Sequence, residues 1–245
     1  MNFYAIIIGT EILNGRRQDK HFEFLRDTLA NYGHTLFASF VIKDDATLIK
    51  RTFEMVLQDP NSVMFSFGGI GSTPDDLTRE IASQVFCNAP TQRHPQFFQD
   101  IIERFDKEAY PHRIHMADLP PGATLLHNPV NNMSGFALQN RFFFVPGFPS
   151  MAHPMIKEVI TRNFSITEPS YRKTLIAHTS ENTLISLMQQ LPSSIELSSL
   201  PLFKDGTPFV ELSLSGKDLQ ALTKAFEMFQ KSLKEKNIKF EITQN

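Results

Sequence analysis

The sequence predicts an α/β protein. The larger part is a three-layer α/β/α domain with a mostly parallel sheet, and a small α+β domain of ferredoxin-like βαββαβ order follows it. Three observations carry this prediction. The apolar run Phe3 to Ile8 is continuous and stops at Gly9, as expected of a strand buried on both faces. Short apolar runs then alternate with helical patterns as far as Phe86, which implies parallel strands joined by right-handed crossovers. From Arg172 onward the order of elements becomes that of a split βαβ unit. The predicted boundaries are residues 1–167 for the first domain and 171–245 for the second.

Taken in order, the first strand leads into a helix with Phe22, Leu25 and Leu29 on its apolar face and Gly33 as its stop. Strands are expected at Thr35 to Ile42 and Ser62 to Phe67, with a helix over Ala46 to Leu57 between them and another over Pro74 to Phe86 after them. A further helix occupies residues 95–108. The stretch from Pro111 to Phe136, rich in proline and asparagine, contains no convincing helix. Short strands are expected at Thr124 to His127, Gly135 to Gln139 and Phe142 to Val145, followed by a helix to about Arg162 and a linker from Asn163 to Ser170. The second domain then reads as strand Arg172 to His178, helix Glu181 to Leu191, strands Ile195 to Ser199 and Phe209 to Ser215, helix Asp218 to Leu233 and strand Lys239 to Ile242. Its alternation Phe209, Leu212, Leu214 suits a sheet covered on one side.

Composition narrows the function. The chain has 245 residues, 41% hydrophobic and 20% charged, with a formal net charge of -2, which argues against a protein that works by coating nucleic acid or an acidic membrane. Cys87 is the only cysteine, so neither an internal disulfide nor a thiolate zinc cluster can form. The N-terminal apolar run is too short for a signal peptide, and no stretch approaches the roughly 18 apolar residues of a membrane helix. A soluble cytoplasmic protein is expected, with no membrane or nucleic-acid partner.

The chemistry concentrates in FGGIGSTPDD, residues 67–76. With the first three strands in the order 2-1-3, the ends of strands 1 and 3 meet at a topological switch point, where open α/β sheets bind ligands. That sets GTEILNG, residues 9–15, beside the glycine loop. Gly68, Gly69 and Gly71 would let a ligand approach the backbone, and the following helix terminus favours an anion such as phosphate. The loop is neither a Walker loop nor GxGxxG. Two readings fit its acids. In one, Thr73 is an N-cap, Pro74 the first helical residue and Asp76 a short capping-box partner, with Asp75 also in a capping role. In the other, Asp76 holds a hard divalent cation against phosphate oxygens. Glu11, just beyond strand 1, and Asp44, after strand 2, could converge on the same cation, although Asp44 and Asp45 also read as N-caps of the next helix. His112 and His115 read as surface residues, and Phe148 is the loop aromatic placed to stack on a flat ring.

GTEILNG, FGGIGSTPDDLTRE, HNPVNNMSGF and VPGFPSMAHPM, in this order and spacing, resemble the competence/damage-inducible protein A (CinA) family and, more broadly, the molybdopterin-binding domain shared with molybdenum-cofactor biosynthesis proteins. The resemblance covers residues 1 to about 165, and the 171–245 unit is similar to the smaller domain that follows in CinA-like proteins. It implies metal-dependent hydrolysis of a nucleotide diphosphate such as ADP-ribose. The alternative it implies is a protein that binds a pterin nucleotide without hydrolysing it. Asp76, Glu11 and Asp44 would be the catalytic acids, with Asp76 and Glu11 holding the metal. Gly9, Thr10, Gly68, Gly69, Gly71, Ser72, Thr73, Asn128, Pro146, Gly147 and Pro149 would form the ligand pocket. The implied cofactors are Mg²⁺, Mn²⁺, Co²⁺ or Ni²⁺, together with potassium; the implied ligand is a nucleotide or pterin, and the implied assembly a homodimer or trimer. The nicotinamide-nucleotide amidase domain that many members carry lies outside this sequence, so that activity is not expected. Three positions depart from the family pattern: His21 for asparagine, Ser72 for proline and Met151 for glutamate, while the APG-type turn reads NNMSG.

Overall fold

The computed structural model describes residues 1–168, 170–204 and 206–243; part of the predicted linker and second domain (Pro169, Asp205, Gln244 and Asn245) lies outside them. The chain divides into two units, Met1–Ile166 and Thr167–Asn245. In the first unit, strands β1 (Asn2–Ile8), β2 (Leu36–Ile42) and β3 (Ser62–Phe67) are joined through helices α1 (Thr10–Leu13), α2 (His21–Asn31) and α3 (Ala46–Gln58). Next come α4 (Thr78–Ala82), a π-helical turn at Ser83–Cys87, the two-residue strand β4 (Gln92–Arg93), α5 (Pro95–Phe105) and two 3₁₀ turns, Asp106–Ala109 and Arg113–Ala117. Strands β5 (Asp118–Leu119), β6 (Thr124–Leu126), β7 (Gly135–Leu138) and β8 (Phe142–Val145) and helix α6 (Pro149–Asn163) complete it.

The main sheet runs β2-β1-β3-β8-β7-β6. Its β2, β1, β3 and β8 pair in parallel, and β7 and β6 extend it antiparallel. Period-2 alternation along β1 explains the uninterrupted apolar run. Phe3, Ala5 and Ile7 enter one core with Leu25 and Leu29 of α2 and Ile156 and Ile160 of α6. Tyr4, Ile6 and Ile8 enter the opposite core with Ile49 and Phe53 of α3 and Ile101 of α5. Both faces are therefore covered, and three layers result.

Two helical expectations are corrected in the first unit. The helix after the glycine loop starts at Thr78, not Pro74. Thr73 is consequently no N-cap: residues 71–76 fold as a turn around the Asp76 side chain, and the Thr78 amide bonds the Gly69 carbonyl at 3.0 Å. In α2 the buried stripe is His21, Leu25 and Leu29, and Phe22 is 41% exposed. An i, i+4, i+8 stripe displaces the predicted i, i+3 start because the His21 ring finds a carbonyl acceptor inside the molecule.

The second unit comprises β9 (Tyr171–Ala177), a 3₁₀ turn at Glu181–Thr183, α7 (Ile185–Met188), β10 (Glu196–Lys204), β11 (Thr207–Gly216), α8 (Leu219–Glu235) and β12 (Phe240–Thr243). Its sheet order β10-β11-β9-β12, antiparallel throughout, is that of a split βαββαβ unit. The single helix expected over 181–191 is a 3₁₀ turn followed by one short helix, with Glu181 turned to the Ser199 hydroxyl. The inward alternation of β11 is Val210, Leu212 and Leu214, so Phe209 belongs to the other face. These residues and Leu222, Phe226 and Phe229 of α8 make a core of their own.

Candidate functional site

The ends of β1 and β3 lie side by side, and a cleft of about 510 Å³ opens beyond them. Its acid side carries Glu11, Asp44, Asp75 and Asp76, and its glycine side Gly68, Gly69, Gly71 and Gly147. Ser72, Thr73 and Pro146 also line it. Four of the predicted residues do not. Gly9 and Thr10 sit at the base of α1, where the Thr10 amide and hydroxyl both donate to Asp44 Oδ2 at 2.8 Å. Asn128 is fully buried; its side chain donates to the Met133 carbonyl at 3.1 Å and accepts from the Val130 amide at 3.1 Å, and so folds the NPVNNM loop. Pro149 opens α6 in the position where a missing N–H costs nothing.

Backbone geometry at the glycine loop is demanding. Gly68 has φ +100°, and a Cβ there would stand 2.4 Å from the Ile8 carbonyl oxygen. Gly69 has φ +69°, and its Cβ would stand 2.2 Å from Thr78 Oγ1. That hydroxyl donates to the Gly68 carbonyl at 3.0 Å, tying α4 to the loop. Gly147 passes so close that its Cβ would lie 3.3 Å from Gly68 Cα. Strands β3 and β8 hold the two loops together, through the Gly68 amide and the Val145 carbonyl at 3.0 Å.

Asp76 organises the loop from within. The Gly71 amide donates to its Oδ1 at 2.8 Å, and the Thr73 amide and hydroxyl donate to its Oδ2 at 2.8 and 2.6 Å. The Gly71 amide, one of those the glycine pattern offered to an anionic ligand, is thus bonded, like that of Thr73, to a carboxylate of the chain. Asp75 is a turn residue, and hydrogen bonding to Thr73 and to backbone holds its carboxyl below the usual range. Asp45, not Asp44, caps α3, accepting from the Leu48 amide at 2.8 Å. Asp44 is free of that duty and is held toward α1 by Thr10.

Sequence reasoning missed the cations of the cleft. Arg17 lies in the turn after α1, with Nη1 4.0 Å from Glu11 Oε1 and its guanidinium 5.2 Å from the Phe148 ring centroid. Arg113 comes from the 3₁₀ turn in the proline-flanked segment. Neither belongs to a periodic or glycine-marked stretch, so pattern reading had no signal for them. Phe97, Phe105, Met116 and Met133 give the cleft an apolar wall, and Phe148 stands half exposed at its mouth. Two of the three departures line the cleft, and the third touches its Gly147 backbone. Ser72 and Met151 line the cleft, with the Asn131 amide 3.3 Å from Met151 Sδ, and His21 bonds the Gly147 carbonyl through Nε2 at 3.2 Å.

Among the described residues no group of three or more His, Cys, Asp or Glu side chains is gathered closely enough to hold a metal ion alone. No helix of the described residues is long and apolar enough to cross a membrane.

Residues 4–165 match the family model described as "Probable molybdopterin binding domain". Among curated proteins, the chain is 35% identical over 161 residues to a CinA-like protein of Acaryochloris marina, covering 63% of this chain and 38% of that protein. It is 32% identical over 165 residues to a CinA-like protein of Nostoc punctiforme, covering 64% and 39% respectively. The chain thus spans about two fifths of the length of these relatives. Among solved structures it is similar to the protein CinA, of unknown function, from Thermoplasma acidophilum, with 26% identity and a TM-score of 0.60 over 66% of this chain and 98% of that one.

Proposed function

The chain belongs to the molybdopterin-binding domain family, and from that premise we propose that its cleft binds a small, phosphorylated, ring-bearing molecule, a nucleotide or a pterin, and cleaves its diphosphate with a divalent cation. One observation supports this most strongly: Glu11, Asp44 and Asp76, the guanidinium groups of Arg17 and Arg113, and the Phe148 ring all line a single cleft at the β1/β3 switch point. The guanidinium groups suit phosphate oxygens, and the half-exposed ring suits a flat heterocycle. Gly68 and Gly69 keep the floor of the cleft free of side chains, so that a phosphate can reach the backbone.

Oxygen donors alone are what a hard cation takes. Asp76, with Glu11 or Asp44, would hold it together with oxygens of the ligand, since among the described residues no three acids are gathered closely enough to hold a metal ion alone. When bound, the cation supplies polarisation of a phosphoryl oxygen. The chain's own part is to orient the diphosphate between Arg17 and Arg113 and to keep Asp44 aimed through its two bonds from Thr10.

A second reading, binding without cleavage, is favoured by one specific feature. Both Asp76 oxygens already accept bonds from Gly71 and Thr73, so this acid can serve the loop rather than a cation. The two readings separate with ADP-ribose as the probe, supplied with Mg²⁺, Mn²⁺, Co²⁺ or Ni²⁺ and potassium. Cleavage predicts AMP release by the wild type and a loss of at least about tenfold in Asp44→Asn and Glu11→Gln, with ADP-ribose still raising Tm. No turnover with any metal, together with a Tm rise on adding a pterin nucleotide, would establish binding alone. Absence of any ligand-induced shift would overturn both.

A further inference from the structure

A neighbouring cleft of about 680 Å³ shares Asp76 with the first and is lined also by Lys50, Arg79, Glu80, His115 and Asp118. We propose that it is a second anion site, in which Arg79 binds a phosphoryl group or a comparable tetrahedral oxyanion.

Arg79 lies on α4, is only 9% exposed, and its Nη1 is buried with no hydrogen-bond partner. No carboxylate among the described residues comes within ion-pair distance of it. Asp76 and Asp118 act on it only through space, and burial pulls its pKa down from the usual arginine value. A buried, unpaired guanidinium is costly, and an arginine cannot relieve the cost by giving up its proton.

The acids of the lining are each committed elsewhere. Asp76 is bonded by Gly71 and Thr73. Asp118 is clamped by Arg93 and by His115. Glu80 accepts from the Gln84 amide at 3.4 Å. Lys50 stands 4.0 Å from Glu54 and adds a second cation to the same wall. The missing partner of Arg79 is therefore supplied from outside the chain. The planar fork of a guanidinium matches two oxygens of one phosphate, which would satisfy Nη1 and neutralise the charge together. Arg79 also lines a further cleft with His112 and Arg113, so an oxyanion has an open approach. This site stands independently of any nucleotide or pterin chemistry in the first cleft.

Inorganic phosphate is the probe, titrated into the full chain by calorimetry and followed by Tm, with chloride at matched ionic strength as control. Wild type is expected to bind phosphate and to melt higher with it. Arg79→Gln is expected to bind about tenfold more weakly or worse, the scale of a lost charged hydrogen bond. Arg79→Lys keeps a cation in the same space and should still lose severalfold, because the fork is gone. Phosphate binding absent from the wild type, or equal in wild type and both variants, would overturn the proposal. The source of the anion follows from adding ADP-ribose at saturating phosphate. Competition that Arg79→Gln abolishes assigns the site to a phosphate of the molecule in the first cleft; simultaneous binding assigns it to a free anion.

Discussion

Glycine residues at the glycine loop differ in what they tolerate, and the difference is a matter of tenths of nanometres. At Gly68 a methyl group would meet both a positive φ and the backbone oxygen of Ile8 at 2.4 Å, an atom at the carboxyl end of the interior strand β1 that cannot step aside. At Gly15, φ is also positive, +76°, but nothing lies within 4 Å. Gly68→Ala should therefore lose about 3 kcal/mol or more of stability, and Gly15→Ala only the left-handed backbone cost of about 1 kcal/mol. Urea denaturation midpoints check this, and equal losses at the two positions would contradict the close approach of the loop to β1. The same scale explains why the role of Asp76 was only half legible. A carboxylate three residues after Thr73 reads equally as a cap or a ligand. Its three loop bonds depend on the turn at Gly71, which no periodicity announces.

Helices α2 and α6 share one face of the sheet and bring together a histidine pair, His21 buried and His153 partly so. His21, 3% exposed, stacks on Phe67 at 4.4 Å and bonds the Gly147 carbonyl; His153 stacks on Phe24 at 3.8 Å, nearly parallel. His21 Nδ1 and His153 Nε2 are buried without hydrogen-bond partners. Burial, then the neighbouring His21, pushes the His153 pKa down to about 4, with Asp19 opposing. Burial likewise lowers His21, against the raising effects of Gly147 and Asp19. Both rings are thus neutral in the folded protein at pH values where the unfolded chain protonates them. Stability is full above about pH 6.5 and falls as pH drops from there toward 4, because the unfolded state binds protons first. The window from pH 6.5 to 5, above most carboxylate titration, isolates the effect. His153→Phe keeps the stack on Phe24 and should flatten the decline of the urea midpoint across that window; an unchanged slope would show that this helix pair does not carry it. Sequence reading placed α2 correctly but turned its face, since a histidine scores as polar and Phe22 as core.

At the scale of the whole molecule, what was legible follows burial. β3 and β8 were readable to the residue because a strand covered on both sides is buried at every position and so mostly apolar, with only Ser62 and Ser66 of β3 as exceptions. The cleft was readable only where chain neighbours build it. Glu11 and the glycine loop meet through adjacent parallel strands, whereas Arg17 and Arg113 are brought to one cleft from turns far apart in sequence, which only the folded chain reveals. Every residue lining that cleft falls between Ile8 and Met151, inside the first unit. The second unit keeps its own core, in which Phe229 is fully buried against a one-sided sheet. Truncating that side chain leaves a cavity in this core, and Phe229→Ala should cost the second unit about 3–5 kcal/mol. Calorimetric unfolding should then show a transition moved to lower temperature, while the Tm rise that a nucleotide or pterin ligand gives the first unit persists. Loss of that ligand response in Phe229→Ala would mean that the cleft depends on the βαββαβ unit, and that its chemistry is not contained within residues 1–166.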